Sequence, residues 1–297
     1  MSITLRSLGQ IAVDLTEAMN WLEEIQVPYK ESRVEKLSDF IFHRLMNSST
    51  SESTDLESGA VSPRIYYALV DAAALGLIAR EFRRLPSSRI PRRTIRDAIQ
   101  GPLDPADENS SNNQARNKLV ELELAAHLLS TGHEITGFDD LSITFEGVSY
   151  SFECKRPVGL SAVTSNMEKA YHQLSSKLKT DADRGIVAMA VEKPFGLDGK
   201  CFNLDNESSI ARFSAEFGSR FGELAAHGLG SLPDIRIVAA LAIIRYLFRL
   251  QCTSTVAVTY TLAMIKLASE HAMQNADIFR LDRLIGRIRN AFNDEQK

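Results

Sequence analysis

Asp140-Leu141-Ser142-Ile143-Thr144-Phe145-Glu146-Gly147-Val148-Ser149-Tyr150-Ser151-Phe152-Glu153-Cys154-Lys155 is the stretch on which the fold turns. Residues 141–145 alternate apolar and polar, as a half-buried strand does. Glu146-Gly147 follows, and glycine accepts the positive φ that a tight hairpin loop requires. In the second run, Val148, Tyr150, Phe152 and Cys154 point one way, while Ser149, Ser151, Glu153 and Lys155 point the other. Glu153 and Lys155 therefore share a face, with Cα atoms roughly 6.6–7 Å apart at the strand rise. Asp140 stands where the first strand begins, and Glu153 and Lys155 where its partner ends. In an antiparallel hairpin those two ends are neighbours.

Two carboxylates and an amine on one face suit a hard cation, which takes one or two carboxylates and keeps several waters. Such an ion lowers the pKa of bound water and stabilises charge on a phosphoryl oxygen, and a lysine beside it steadies the developing anion. This chemistry is that of phosphodiester hydrolysis. The bare acid-x-Lys pattern carries little, since it recurs at Asp198-Gly199-Lys200, which reads as a turn, and at the terminal Glu295-Gln296-Lys297. Only Glu153-Cys154-Lys155 lies late in a strand with a second acid at the mouth of its hairpin.

The surroundings extend the pattern. A helix spans 117–126 and carries Glu121 and Glu123. After the hairpin, Val163, Met167, Ala170, Leu174 and Leu178 recur at helical spacing and predict a crossover helix over 162–178, with Asn166, Lys169, Gln173 and Lys177 as a neighbouring polar stripe. The apolar run 185–191 then suits a central strand covered on both faces. Paired in parallel with 148–155, it makes a right-handed βαβ unit.

Over 117–193 this order resembles the PD-(D/E)XK, or restriction-endonuclease-like, nuclease superfamily. The resemblance implies a mixed β-sheet core flanked by helices. It implies that Asp140 and Glu153 are metal ligands for Mg²⁺ or Mn²⁺, that Lys155 is the motif's lysine, that Glu121 is the acid on the preceding helix and a further ligand, and that Gln173 is the glutamine on the following one. Asp139 stands where the motif's name has proline. The implied activity is a metal-dependent nuclease acting on DNA, of the kind found in bacterial defence or repair.

Plainer readings stand beside these. Asp140, Glu153 and Lys155 could form a cross-strand ion pair on a wet sheet face. Glu121 and Glu123 lie two apart on a helix, so only one can face the hairpin. Glu121 sits at the edge of the Leu122, Ala125, Ala126 and Leu129 stripe and is preferred, which leaves Glu123 as a solvated helix charge. Cys154 points away from the acids and reads as a small core residue. Lys169 and Lys177 could meet a phosphate backbone or simply line a wet helix face. Residues 80–96 hold seven arginines, of which Arg89, Arg92 and Arg93 are candidate nucleic-acid contacts; solvated pairing with Glu81 and Asp97 is the alternative.

The 297 residues suffice for one large core or two modest ones, and 44% hydrophobic with 24% charged content is ordinary for a soluble globular chain. With 34 Lys+Arg against 38 Asp+Glu, any nucleic-acid binding must use local positive patches. Cys154, Cys201 and Cys252 are too dispersed for a disulfide framework or a zinc site, which predicts a reducing, cytoplasmic setting. The first residues lack the order of a signal peptide, and the apolar run 237–244 stops at Arg245, too short to span a bilayer. There is no Gly-rich phosphate loop, Gly-x-Ser-x-Gly elbow or His-Glu-x-x-His.

Toward the N-terminus, Leu8, Ile11, Leu15, Met19 and Leu22 mark one amphipathic helix and Val34, Leu37, Ile41 and Leu45 a second. Residues 47–62 read as a loop, and Ser62-Pro63 starts a third helix running to about residue 84. The Pro-, Asn- and Ser-rich stretch 101–113 places a boundary between a helical N-terminal region, 1–105, and an α/β nuclease-like domain, 106–297. Within the latter, a helix near 209–226, an ambiguous 235–248, a strand at 255–261 and a closing amphipathic helix through Phe292 follow. Two rivals stay open: a nuclease-like nucleic-acid-binding protein without catalysis, and a protein-interaction module of a larger complex. A homodimer is equally open.

Overall fold

A computed structural model of the chain describes residues 2–45, 61–108, 114–138, 140–230, 232–251, 255–267 and 275–294. Strand β1 (Ser2–Ser7) runs into helix α1 (Leu8–Glu24), where Ser7 accepts a hydrogen bond from the Gln10 amide at 3.2 Å and caps the first turn. Ser32 caps α2 (Arg33–Phe40) in the same way, and α2 passes into a π-helical turn, Ile41–Leu45. Ser62 caps α3 (Pro63–Phe82), whose proline occupies a position that needs no N–H donor. Apart from a few positions α3 is buried all round, as its apolar sequence demands. It crosses α1 closely at Gly76, where a Cβ would lie 2.4 Å from the Asp14 Cβ. Helix α4 (Arg92–Ala98) and then α5 (Gln114–Ser130) follow.

From α5 the chain forms β2 (Glu134–Gly137), β3 (Ser142–Phe145) and β4 (Val148–Lys155). The β3–β4 loop is Glu146-Gly147 with φ of 48° and 77°, the left-handed pair of a type I′ turn, whose twist matches that of the flanking strands. Helix α6 (Ser161–Lys177) crosses to β5 (Arg184–Ala190). Next come β6 (Cys201–Leu204), α7 (Glu207–Leu229), β7 (Ile237–Leu250), β8 (Thr255–Lys266) and α8 (Asn275–Asp294). The sheet order is β1-β8-β7-β5-β4-β3-β2, with β6 also on β7. Pairings β4/β5, β5/β7 and β6/β7 are parallel, and the others antiparallel.

Side-chain alternation along β5 divides the interior in two. Ile186, Ala188 and Ala190 enter a core shared with α1, α3 and α5, whereas Val187, Met189 and Val191 enter one built with α6 and α7. The molecule is therefore an α/β structure with a mixed sheet flanked by helices. The ambiguous 235–248 run is the long strand β7, apolar along most of its length because both its faces are covered there. The helical N-terminal region also holds β1, a strand not anticipated from sequence; its partner, β8, lies about 250 residues away, and six residues of alternation carry little signal alone. The helices of that region share the first core with the sheet. The loop 47–62 lies almost wholly outside the described residues, as do Asp139 and Cys252. Among the described residues no helix is long and apolar enough to cross a membrane.

Candidate active site

The β3–β4 register, Ser142 opposite Ser151, continues outward through a hydrogen bond from the Phe152 amide to the Leu141 carbonyl at 2.8 Å. Asp140 and Glu153 therefore flank the same end of the hairpin. Glu153 accepts from the Lys155 ammonium at 2.6 Å through one oxygen and from Lys177 at 2.7 Å through the other. Lys177, in the last turn of α6, also donates to Asp140 at 2.7 Å. The two carboxylate oxygens that share this ammonium can be no more than 5.4 Å apart, twice the 2.7 Å bond. Burial draws the Lys177 ammonium down, but its bonds to Asp140 and Glu153 prevail and hold it above its ordinary value. The Glu153 side chain is only 12% exposed and that of Asp140 71%, so the cluster opens to solvent at the aspartate.

Glu121 on α5 is half-buried and accepts from Lys118 at 2.8 Å. Burial pushes its carboxyl up against the pull of Lys118, and the charge of Glu153 raises it further, so the two acids feel one another. Glu123 is not the solvated charge expected from its sequence position. Helix α5 is buried around most of its circumference, and Glu123 enters the core, where it accepts from Arg245 of β7 at 3.0 Å. The same arginine meets Glu192, just past β5. Burial pushes the Glu123 carboxyl up to about 8 despite Arg245.

The polar stripe on α6 divides. Lys177 is exposed and paired with both acids, while Gln173, one turn earlier, and Lys169 are exposed outside that pairing. Cys154 packs against the α3–α5 core, as its strand phase indicates, and burial pushes its thiol up. Arg89 reaches Glu134 and the Ile135 carbonyl on β2; Arg92 is half-buried; Arg93 is exposed.

A second ionic assembly went unread in the sequence. Arg156, immediately after Lys155 and on the opposite face, pairs with Glu108, which also meets Arg116; Arg116 bonds Asp71 at 3.0 Å, and Arg33 lies 3.5 Å from the same oxygen. Against its own burial, Asp71 is held below the usual carboxylate range by Arg116 and Arg33. The available signal was a lone charge inside an apolar run, at Asp71 in α3 and at Arg245 in β7.

Among the described residues no group of three or more His, Cys, Asp or Glu side chains is spaced to hold a metal ion. The donor set is a pair, Asp140 and Glu153, with an ammonium between them standing where a cation would be. A Mg²⁺ ion that keeps most of its waters needs no more than one or two carboxylates, so the pair fits it. No family model matches the chain, and neither the curated proteins nor the solved structures contain a match.

Proposed function

We propose that this chain is a Mg²⁺- or Mn²⁺-dependent nuclease that hydrolyses phosphodiester bonds in DNA on a restriction-endonuclease-like core. The observation behind this reading is the convergence of Asp140, Glu153 and Lys155 at one end of the β3–β4 hairpin, where a single cation already bridges the two acids. The order α5–β2–β3–β4–α6–β5, with β4 and β5 parallel, supports it by matching the helix, hairpin, crossover helix and strand of the PD-(D/E)XK pattern.

Asp140 and Glu153 would hold the ion, which supplies a polarised water and a charge toward the phosphoryl oxygens. Glu153 also fixes Lys155, whose ammonium is thereby positioned to orient the nucleophile and to stabilise negative charge as it develops. Glu121 acts at one remove, through water or through the field it shares with Glu153. Lys177 neutralises the acid pair and competes with the ion for both carboxylates.

The test is nicking of supercoiled DNA by purified protein with Mg²⁺ or Mn²⁺, with EDTA and Lys155→Ala as controls. Lys155→Ala should abolish nicking while its circular dichroism and melting stay native. Equal nicking by wild type and Lys155→Ala refutes the assignment. A second reading, a nucleic-acid-binding protein without catalysis, draws on the presence of two acids rather than three and on their neutralisation by Lys177. Calorimetric titration with Mn²⁺ separates the two, because only the nuclease shows binding that depends on Asp140 and Glu153.

A further inference from the structure

At the outer edge of the sheet, the segment leading into α4 faces β2 across a cleft of about 430 Å³. One wall carries Arg89, Arg92 and Arg93, the other is Ile135 to Phe138, and no acid is among the described residues that line it. This is unusual in a chain whose 38 acids outnumber its 34 bases. Arg92 is fixed in place, its Nε donating to the Ile25 carbonyl at 2.9 Å and one terminal nitrogen to the Ser87 hydroxyl at 2.6 Å. A guanidinium already immobilised loses little rotamer freedom when it meets an anion. Arg89 spans the cleft to the Ile135 carbonyl and pairs at the rim with the exposed Glu134, 3.2 Å away, a carboxylate that a phosphate would have to displace. Arg93 is exposed at the cleft's mouth. Among the described residues β2 pairs with β3 alone, so its other edge faces the cleft without a partner strand.

The cleft also adjoins the acid cluster. Gly137 lies in its wall, and a Cβ there would come within 2.9 Å of the Asp140 carbonyl oxygen. A polyanion resting along the arginines would be led past Asp140 to Lys155 and Lys177. We infer that this cleft binds backbone phosphates of the nucleic acid on one side of the scissile bond, an inference that rests on the nuclease reading and adds the substrate's path to it. Phosphate, rather than base, is the moiety recognised, since guanidinium forks match its oxygens and carry no sequence information.

The experiment is fluorescence anisotropy of a labelled DNA duplex in EDTA, so that no cleavage occurs, repeated from 50 to about 300 mM salt. Each lost phosphate contact lowers the slope of log K against log salt by about 1. Arg93→Gln and Arg89→Gln should each show that loss, with severalfold weaker binding at low salt that is equal for unrelated sequences. Arg212→Gln, on the exposed face of α7, should bind as wild type does. Arg93 makes the informative variant because its exposure leaves folding untouched; melting curves establish the same for Arg89→Gln. Unchanged slopes in both variants, or no duplex binding by wild type, overturn the inference. Metal-dependent nicking is scored separately: nicking that ignores both arginines removes the cleft and leaves the nuclease, whereas arginine-dependent binding without nicking removes catalysis and leaves the cleft.

Discussion

Replacing Arg245 with methionine removes the base that bridges Glu123 and Glu192 in the core. Arg245 is 1% exposed, and it bonds Glu123 at 3.0 Å and also meets Glu192. The methionine stem fills much of the same channel, and the Tyr66 hydroxyl keeps its bond, which is to the residue 245 main-chain carbonyl at 2.7 Å. What is lost is therefore the compensation of charge. Removing one partner of a buried ion pair destabilises by about 3–5 kcal/mol. Glu123 can relieve part of this by staying protonated, because burial already lifts its carboxyl to about 8; Glu192, also fully buried, is left without its basic partner. With a urea m-value of ~3 kcal/mol/M, the unfolding midpoint should fall by about 1–1.7 M. Adding Glu123→Leu and Glu192→Met should recover most of the loss, since an apolar trio of similar volume holds no unpaired charge. A loss below about 1 kcal/mol at unchanged m would show that the core here admits water or relaxes enough to solvate Glu192, and the account of a dry ionic centre would fall.

Glu123 also sets a pH dependence. Its carboxyl titrates near 8 in the folded chain against a usual 4.5, so the folded state holds the proton more tightly; the resulting stability is complete below about 4.5 and is lost as pH rises through 8. The slope in that window is at most about 1.4 kcal/mol per pH unit, and Glu123→Gln should flatten it in urea titrations run from pH 5 to 8; an unaltered slope assigns the proton elsewhere. Gly76→Ala forces a Cβ to within 2.4 Å of Asp14 where α1 crosses α3, and should cost about 1–3 kcal/mol by thermal melting; native stability would mean that the helices part easily. Lys177→Gln removes the ammonium that competes for Asp140 and Glu153, so Mn²⁺ should bind more tightly by calorimetry, while stability changes by no more than about 1 kcal/mol. Weaker Mn²⁺ binding in that variant contradicts the competition.

The parts of the fold legible in the sequence are those with a local period. Alternation over 141–155 with Gly147 between the runs specifies the hairpin, and the uninterrupted apolar run before Glu192 specifies a strand covered on both faces, β5. Hairpin phase also places Glu153 and Lys155 together, since strand alternation is a rule of covalent geometry. What was hidden depends on distant partners. Lys177 had the spacing of a wet helix face, and only the crossing of α6 over β4 brings it to Glu153, 24 residues away in sequence. Glu123 had the look of a helix surface charge because its partner, Arg245, is 122 residues downstream. Strand β1 is hidden for the same reason: Ser2–Ser7 becomes a strand through a neighbour near the other end of the chain.

That pairing has a consequence for how the molecule is made. Ser7 lies opposite Ala257, so β1 leaves the ribosome 250 residues before the strand it hydrogen-bonds to exists. At translation speeds of ~5–20 residues per second, its edge waits unmatched for about 12–50 s. The sheet is thus sealed from β8 to β1 only once β8 has been made, and a nascent chain stalled short of β8 keeps an open β-edge at which sister chains can stack.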